Sequence, residues 1–170
     1  RDLLQRRADQ WQRELEQHDD EVRSRRGVVR THTTRDVPIF ARPLAPADLE
    51  ARLQTFYDPY YACLDRLLGE IRQAYGCALL LDGHTGSPRR MKDHQVILGT
   101  RHDTTCAPEL VATVAAVFTR HGFAVHANVD GYPGGNIVAT HGHPRTRCVH
   151  AIQLELNASL LVTTTGAAVI

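Results

Sequence analysis

One run of apolar residues, closed by turn residues, constrains the fold of this chain more than any other feature. Residues 77–81 read Cys-Ala-Leu-Leu-Leu, and Asp82-Gly83-His84 follows at once. Such a run is typical of a buried strand in an α/β sheet. Ligands of these sheets bind just beyond the carboxyl ends of the strands, so we expect His84 to lie at a binding site. Asp82 would orient its imidazole or lie beside it, and the alternative is a loop histidine with no ligand role.

The length and charge of the chain limit the classes of function. Its 170 residues suit one domain with a proper core. The 20 Lys and Arg residues against 19 Asp and Glu leave a net charge of +1. This balance argues against a nucleic-acid partner attracted by bulk charge. No apolar run of about 18 residues indicates a membrane span, so we predict no membrane partner. The oligomeric state is left open.

The cysteines and the N-terminus predict a compartment. The 4 cysteines are widely spaced and form no Cys-x-x-Cys pair. We therefore expect neither a disulfide framework nor a cysteine-type zinc site, and a reducing cytoplasm fits this pattern. The charged N-terminus lacks the apolar stretch of a signal peptide, which also favours a cytoplasmic location. The 10 histidines raise the expectation of metal or proton chemistry.

The chain is predicted to hold two parts, a charged arm that is helical or partly ordered (1–27) and an α/β domain (28–170). Acidic residues offset the arginines of the arm, which favours a solvated face over a nucleic-acid patch. In the domain, an extended segment precedes a helix that starts at Pro46, kinks or breaks at Pro59 and ends at Gly76. Further apolar patterns predict strands at 77–82, 95–98, 123–127 and 149–156, a helix at 109–121 and an extended segment at 136–140.

Two later features carry chemistry. Glu155 is a carboxylate inside an otherwise apolar strand, and burying an unpaired charge is costly, so a partner, a metal or a water must lie near it. Such a carboxylate suits a general base, and the alternative is a glutamate at a sheet edge that pairs with an arginine. The loop 128–135 holds three glycines and a proline, which would let a substrate approach the backbone closely or simply form a turn.

Five separated motifs, in one order across roughly residues 28–160, resemble those of the N-formylglutamate amidohydrolase family. Leu-Asp-Gly-His-Thr at 81–85 is similar to the family's Asp-x-His-Ser strand end. His-Ala-Ile-Gln-Leu-Glu-Leu-Asn at 150–157, after a Gly-x-Pro, resembles its His-Ala-Ile-Gln-Ile-Glu-Ile-Asn. The other matches are 56–60 to Tyr-x-Pro-Tyr-His, 96–106 to Ile-Val-Leu-Gly-Asp-Arg and Ser-Cys, and 122–135 to Gly-Tyr-x-Val and Pro-Tyr/Phe-x-Gly-Gly.

The resemblance implies a three-layer, carboxypeptidase-like (phosphorylase/hydrolase-like) α/β fold, with a mixed sheet flanked by helices and incomplete at its N-terminus. It also implies zinc-dependent hydrolysis of the amide bond of an N-acyl amino acid. The family's named substrate is N-formyl-L-glutamate, which gives formate and glutamate in histidine breakdown. His84 matches a zinc ligand of the family, and Glu155 matches its general base. The residues implied to bind substrate are Arg89, Arg90, Asn128, Gly134 and Gly135.

Departures from the family pattern leave a second function open. The Pro-His-Ser-Gly segment that supplies the family's first metal ligands is not found, and Tyr61 stands where the family commonly has histidine. His94, His141 or His143 could rebuild a site, although a His-x-His turn is more often exposed. The alternative is a metal-free, catalytically inactive or truncated domain that binds the same class of small molecule without hydrolysing it.

Overall fold

The computed structural model describes residues 29–33, 35–42 and 44–161. The predicted arm, residues 1–27, lies outside this range, and its boundary with the α/β domain stays a prediction. The chain divides into two compact units, Arg1–Tyr60 and Tyr61–Ile170. Within the described residues, no helix is both long enough and apolar enough to cross a membrane.

The described part of the first unit is helical from Pro46 onward. An isolated antiparallel bridge joins His32 and Pro38 in the segment predicted to be extended. Helix α1 spans Pro46–Arg52 and has proline in its first turn, as the sequence predicts. Leu53–Tyr57 then forms a π-helical turn, and helical structure continues past Pro59 without a break. Because proline offers no N–H to the carbonyl four residues before it, a wider turn just ahead of the ring accommodates it.

The second unit alternates helices and strands around a sheet. Its helices are α2 (Asp58–Tyr75, which begins in the first unit), α3 (Pro88–Met91), α4 (Pro108–Arg120), α5 (Asn136–His141) and α6 (Pro144–Arg147). Its strands are β1 (Ala78–Gly86), β2 (Val96–Gly99), β3 (Val125–Ala127) and β4 (Val149–Asn157), and a 3₁₀ turn at Ala158–Leu160 follows. Gly76 and Gly122 have positive φ and end α2 and α4, as the sequence predicts.

The described strands form an open, mixed sheet in the order β1-β4-β2-β3. β1 runs parallel to β4, β4 runs antiparallel to β2, and β2 runs parallel to β3. Helices flank this sheet, with α4 on one face and α2 and α5 on the other. The predicted class, a mixed α/β sheet flanked by helices, is therefore confirmed.

Two predicted elements are wrong in detail. β1 does not stop at residue 82, because its pairing with β4 continues residue by residue to Gly86, opposite Asn157. His84 therefore lies within the strand and not beyond its end. Residues 136–140, predicted to be extended, form α5 instead. The helix packs on β4 and β1, and this tertiary contact overrides the local preference of the β-branched residues.

One face of the sheet is buried against α4. Val96, Leu98 and Ile152 from the sheet pack with Val111 of α4 and with Cys106. Successive side chains of a strand point to opposite faces, so the apolar residues of this cluster occupy alternate positions of β2 and β4. This face holds the main core of the described chain.

The opposite face is apolar only where α2 covers it. There Leu68 packs against Ala78 and Val149, at the amino ends of β1 and β4. Toward the carboxyl ends of the same two strands, the alternate positions carry polar side chains. The face thus changes from a packed helix contact to a polar surface along the length of β1 and β4.

A disulfide joins Cys77 and Cys148, whose Cα atoms are 4.9 Å apart. The prediction that the chain forms no disulfide was wrong. The two cysteines are 71 positions apart and show no local pattern. They meet because each directly precedes one of two paired parallel strands. Cys63 is an exposed free thiol, and Cys106 is a buried one.

Candidate active site

The pairing of β1 with β4 brings four polar side chains together on one face of the sheet. His84 is the register partner of Glu155, and Asp82 is the register partner of Gln153. Neighbouring strands lie about 4.8 Å apart, and register partners in parallel strands point to the same face. The two residues that the sequence singles out, 71 positions apart, are therefore direct neighbours across the ladder.

The imidazole of His84 contacts a carboxylate on one side and is partly exposed to solvent. Its Nε2 lies 3.0 Å from Oδ2 of Asp82. The imidazole is 47% exposed, whereas the Asp82 side chain is only 11% exposed. A carboxylate in this position orients the ring, and the ligand role of His84 stays a prediction. Because Asp82 occupies Nε2, Nδ1 is the ring nitrogen left to face a ligand.

Glu155 is buried, with 7% of its surface exposed, and its partner is an amide. Its Oε1 accepts a hydrogen bond of 2.7 Å from Nε2 of Gln153. β4 lies between β1 and β2, so Glu155 does not sit at a sheet edge paired with an arginine. Its neighbour on β2 is Ile97, which is fully buried. Glu155 thus has an apolar wall on one side and His84 on the other.

The glycine-rich loop fixes the amide that holds Glu155. The backbone N–H of Gly135 donates to Oε1 of Gln153. Since that N–H can only donate, the Gln153 oxygen must face it, and the amide nitrogen must face Glu155. A Cβ on Gly135 would lie 2.9 Å from the same Gln153 oxygen. The close backbone approach predicted for this loop therefore serves a side chain of the sheet.

Gly134 allows the loop to lie on the end of β2. It has φ +117, and a Cβ there would lie 2.9 Å from Cγ2 of Val138. A Cβ on Gly99 would in turn lie 2.7 Å from the backbone nitrogen of Gly134. Both positions need glycine because the two backbones pass each other without room for a side chain.

The remaining predicted residues lie on the segments that follow the strands. Oδ1 of Asn128 accepts hydrogen bonds from the backbone N–H groups of Thr100 (2.9 Å) and His102 (3.2 Å), so its side chain holds the loop after β2. Arg89 and Arg90 lie on α3, directly after β1, and both side chains are exposed. Their predicted contact with a substrate carboxylate stays a prediction.

The chain is similar in sequence and in fold to proteins of one family. The sequence profile described as N-formylglutamate amidohydrolase matches residues 7–162. A protein named N-formylglutamate deformylase from Pseudomonas putida is 30% identical over 131 residues, which cover 72% of this chain and 48% of the relative. A second of that name, from Pseudomonas aeruginosa, is 30% identical over 128 residues, which cover 70% and 47%.

The crystal structure of N-formylglutamate amidohydrolase from Ralstonia eutropha JMP134 aligns with a TM-score of 0.75 and 27% identity, covering 86% of this chain and 55% of that one. The chain belongs to the N-formylglutamate amidohydrolase family. Membership confirms the resemblance predicted from the five motifs. The chain spans about half the length of the curated relatives it matches, so part of the relatives' length has no counterpart here.

The donors at the family's expected zinc site fit the metal in kind and fall short in number. An imidazole backed by a carboxylate is a normal zinc ligand, but such sites use at least three protein ligands. Among the described residues, the group of three close donor side chains is Cys77, Cys148 and His150, away from His84. Two members of that group are joined in the disulfide. The described residues thus supply His84 and its carboxylate, and not a closed ligand set.

The other candidate histidines do not complete this ligand set. His141 is 2% exposed, and its Nδ1 lies 3.1 Å from Oδ1 of Asp65 on α2. Nε2 of His143 lies 2.9 Å from the carbonyl oxygen of Thr140. The ring of His94 packs edge-on against the ring of His126, with centroids 4.4 Å apart. None of the three belongs to a group of close donors with His84 in the described part of the chain.

Burial decides the protonation of His141. Removal from water lowers its pKa, and nearby His143 and Arg147 lower it further, while the negative charge of Asp65 partly opposes this shift. The ring also stacks on Tyr61, with centroids 5.5 Å apart. His141 is therefore a packed, neutral imidazole beneath α2.

Two partner residues were not predicted from the sequence, Gln153 at the candidate site and Asp65 beside His141. The side chain of Gln153 links Gly135 to Glu155, and this link depends on a loop that folds back over the sheet. Asp65, the partner of His141, lies on an amphipathic helix where an acidic residue normally faces water. The signal available for Gln153 was its spacing, because it shares a strand face with Glu155 two positions later.

Proposed function

We propose that the protein hydrolyses the amide bond of N-formyl-L-glutamate, giving formate and glutamate, and that the reaction depends on zinc. The observation that carries the proposal is the pairing of His84 with Glu155 across adjacent strands. Family membership and the two relatives named N-formylglutamate deformylase support the substrate. Because the chain covers about half of those relatives, the activity of the whole protein is part of the proposal.

Glu155 would act as the general base. Its Oε1 is occupied by the hydrogen bond from Gln153, so Oε2 is the oxygen that takes the proton of the attacking water. The same oxygen returns that proton to the leaving amine after the water oxygen has bonded to the formyl carbon. Gly135 and Gln153 keep the carboxylate from rotating away from the face that it shares with His84.

His84 would hold the metal, with Asp82 behind the ring. When bound, zinc would polarise the scissile carbonyl and lower the pKa of the attacking water. This chain would contribute the imidazole of His84, and Asp82 would accept a hydrogen bond from Nε2 and so orient the ring. Further ligands would have to come from outside the described residues.

The substrate's carboxylates would be bound by α3. Arg89 and Arg90 begin a basic, exposed turn directly after the strand that carries His84. A guanidinium group can bind a carboxylate through two parallel hydrogen bonds. Gly134, Gly135 and Asn128 would form the opposite wall, where their contacts shape the loops after β2 and β3.

The wider setting completes the proposal. We infer a carboxypeptidase-like, three-layer arrangement for the whole protein and a place in histidine breakdown, both of which the family resemblance suggested. We also infer a cytoplasmic location, which was predicted from the cysteine spacing and the charged N-terminus. The TM-score of 0.75 to the Ralstonia eutropha amidohydrolase supports the fold.

The test is the release of glutamate from N-formyl-L-glutamate by the purified protein, with zinc supplied and after chelation. We expect zinc-dependent release that His84→Ala and Glu155→Gln abolish. His121→Ala and Glu109→Gln, exposed positions at the two ends of α4, are matched controls that should retain the activity. Release that persists after chelation would refute the zinc dependence, and full activity of Glu155→Gln would refute the assigned base.

One observation favours a second function. Among the described residues, His84 does not belong to a group of three close metal-binding side chains. In this alternative, the protein binds the N-acyl amino acid without metal and without turnover. Calorimetric titration of the chelated protein with N-formyl-L-glutamate separates the two. Saturable binding with no glutamate release in the presence of zinc would favour the binding domain.

A further inference from the structure

The disulfide lies at the start of the two strands that carry the candidate site. Cys77 directly precedes β1, and Cys148 directly precedes β4. Seven positions further along each strand come His84 and Glu155, which are register partners. The backbone N–H of Ala78 also donates to the carbonyl oxygen of Cys148 at 3.0 Å. The disulfide therefore fixes the same register that places the two site residues opposite each other.

The surroundings of the two sulfur atoms are those of a reactive disulfide. Cys77 is exposed, and Cys148 is partly buried. A ring nitrogen of His150, which is 9% exposed, and the two sulfur atoms lie within 4.8 Å of one another. An imidazole beside a sulfur atom favours the thiolate, which is the form that leaves when a disulfide is cleaved.

The hydrogen bonding of His150 argues against a metal site at this cluster. Its Nδ1 accepts the backbone N–H of Ala107 at 3.1 Å. The neutral ring then carries its proton on Nε2, so neither nitrogen has a lone pair free for a metal. In this tautomer the Nε2–H of His150 can donate a hydrogen bond, and the ring is not available to coordinate zinc.

The backbone at Cys148 also depends on the link. Cys148 has φ 50 and ψ 39, the left-handed conformation, at the end of α6. This conformation is unfavourable for a residue that has a Cβ, so surrounding structure must hold it. β1 pairs with β4 and lies at an edge of the described sheet, so cleavage of the disulfide removes a restraint where β1 has a single neighbour.

We propose that Cys77–Cys148 is a reversible thiol–disulfide exchange site that locks the register of β1 and β4. The partner is a low-molecular-weight thiol such as glutathione. Its thiolate attacks Sγ of Cys77 and forms a mixed disulfide, while the electron pair of the broken S–S bond leaves on Sγ of Cys148. A second thiolate attacks the mixed disulfide, so the small thiol ends as its own disulfide and Cys77 is released reduced. Only the effect on the His84–Glu155 pair rests on the proposed function.

The first test counts free thiols and measures amide hydrogen exchange, neither of which involves hydrolysis. In air-oxidised, denatured protein, alkylation without reductant should label Cys63 and Cys106 only, and treatment with excess glutathione should add Cys77 and Cys148. Reduction should speed exchange of the β1 amides about tenfold or more and leave those of β2 unchanged, and reoxidation should restore protection. Four free thiols in the oxidised sample, or equal exchange in both states, would overturn the proposal.

Cysteine variants distinguish the effect of the disulfide from a general effect on folding. Cys77→Ser with Cys148→Ser should behave like the reduced protein, whereas Cys63→Ser should behave like the oxidised one. Where the double variant fails to fold, the reduced and reoxidised wild type still gives the comparison. Addition of Zn²⁺ to reduced protein should leave β1 exchange fast, and protection by Zn²⁺ would show a metal site in place of an exchange site.

The part assigned to His150 has its own readout. Because it acts through the sulfur atoms, we expect His150→Asn to slow cleavage by glutathione about threefold at pH 7. The difference should shrink as the pH rises and proton donation to the leaving sulfur ceases to matter. An equal rate of disulfide cleavage in the wild type and in His150→Asn across the pH range would show that His150 takes no part in the exchange.

Discussion

The described part of the second unit contains two imidazole–carboxylate pairs of similar length and opposite exposure. His84 and Asp82 are 3.0 Å apart, with the imidazole 47% exposed and the carboxylate 11% exposed. His141 and Asp65 are 3.1 Å apart, with the imidazole 1% exposed and the carboxylate 63% exposed. In the first pair the buried partner orients a ring that faces outward. In the second pair the ring is part of the packing and the carboxylate is at the surface.

The contrast shows that pairing alone does not make a functional histidine. A ligand or substrate can reach His84, and its neighbour across the ladder is the carboxylate of Glu155. His141 instead is the last residue of α5 and packs against α2, stacked on Tyr61, and its Nε2 has no hydrogen-bond partner among the described residues. We therefore expect changes at the first pair to alter chemistry and changes at the second to alter stability.

The largest expected effect is on turnover, at the carboxylate that neighbours the first pair across the ladder. Removal of the base by Glu155→Gln should lower kcat/KM for N-formyl-L-glutamate by about 10²–10⁴-fold, since general-base catalysis contributes on that order. The unfolding midpoint should change little, because glutamine has nearly the same shape as glutamate and its side-chain oxygen can still accept the hydrogen bond from Gln153. Steady-state kinetics with Glu109→Gln as control measures the loss. A loss of less than about threefold in kcat/KM would contradict the assignment of Glu155 as the base.

The next effect is on stability at the second pair. His141→Ala removes a packed ring and leaves a cavity beneath α2, which should lower the free energy of unfolding by about 2–3 kcal/mol. Denaturant titration measures it, with the exposed His121→Ala as control. The remaining folded protein should keep its kcat/KM. Loss of turnover in the folded fraction would place His141 in the active site and end the distinction between the pairs.

The carboxylates give a sharper version of the same contrast. Asp82→Asn should weaken zinc binding about 10–100-fold, as loss of an orienting carboxylate behind a ligand histidine does. Asp65→Asn should leave zinc binding unchanged and alter stability by less than about 1 kcal/mol, because its carboxylate is largely exposed. Competition with a chromogenic chelator measures the affinity. Equal zinc affinity in both variants would mean that Asp82 does not orient a ligand.

The smallest effect is the pH dependence that follows from the lowered pKa of His141. The unfolded chain takes up this proton near pH 6.5, while the folded chain takes it up only at lower pH. Between these two values the unfolded state binds more protons, so stability falls as the pH drops, by at most about 1.4 kcal/mol per pH unit. His141→Phe should flatten this part of the curve. A constant stability difference between the two proteins from pH 7.5 to 5 would contradict the assignment.

The sequence placed the two candidate residues near or on strands but did not predict the topology around them. The apolar run before His84 and the isolated carboxylate at Glu155 are local signals, and both fell on strands as predicted. That these strands are neighbours depends on the order β1-β4-β2-β3, which no local pattern encodes. The ladder register makes His84 and Glu155 direct neighbours, and their roles as ligand and base stay a prediction.

The errors have one physical origin, which is that long-range pairing overrides local preference. Asp82-Gly83-His84 resembles a turn, yet pairing with β4 keeps the chain extended to Gly86. The link between Cys77 and Cys148 was missed because the sequence shows only two distant cysteines. The part played by Gln153 depends on a loop contact that forms only when the glycine-rich segment folds onto the sheet.

The most direct test of the central claim, that His84 and Glu155 act together on one water, is a double-mutant cycle in kcat/KM. The two residues face each other across adjacent strands, so their effects should be strongly coupled. The account predicts that the protein with both His84→Ala and Glu155→Gln is no slower than the worse single variant, within about threefold. Losses that multiply, as for independent sites, would contradict it.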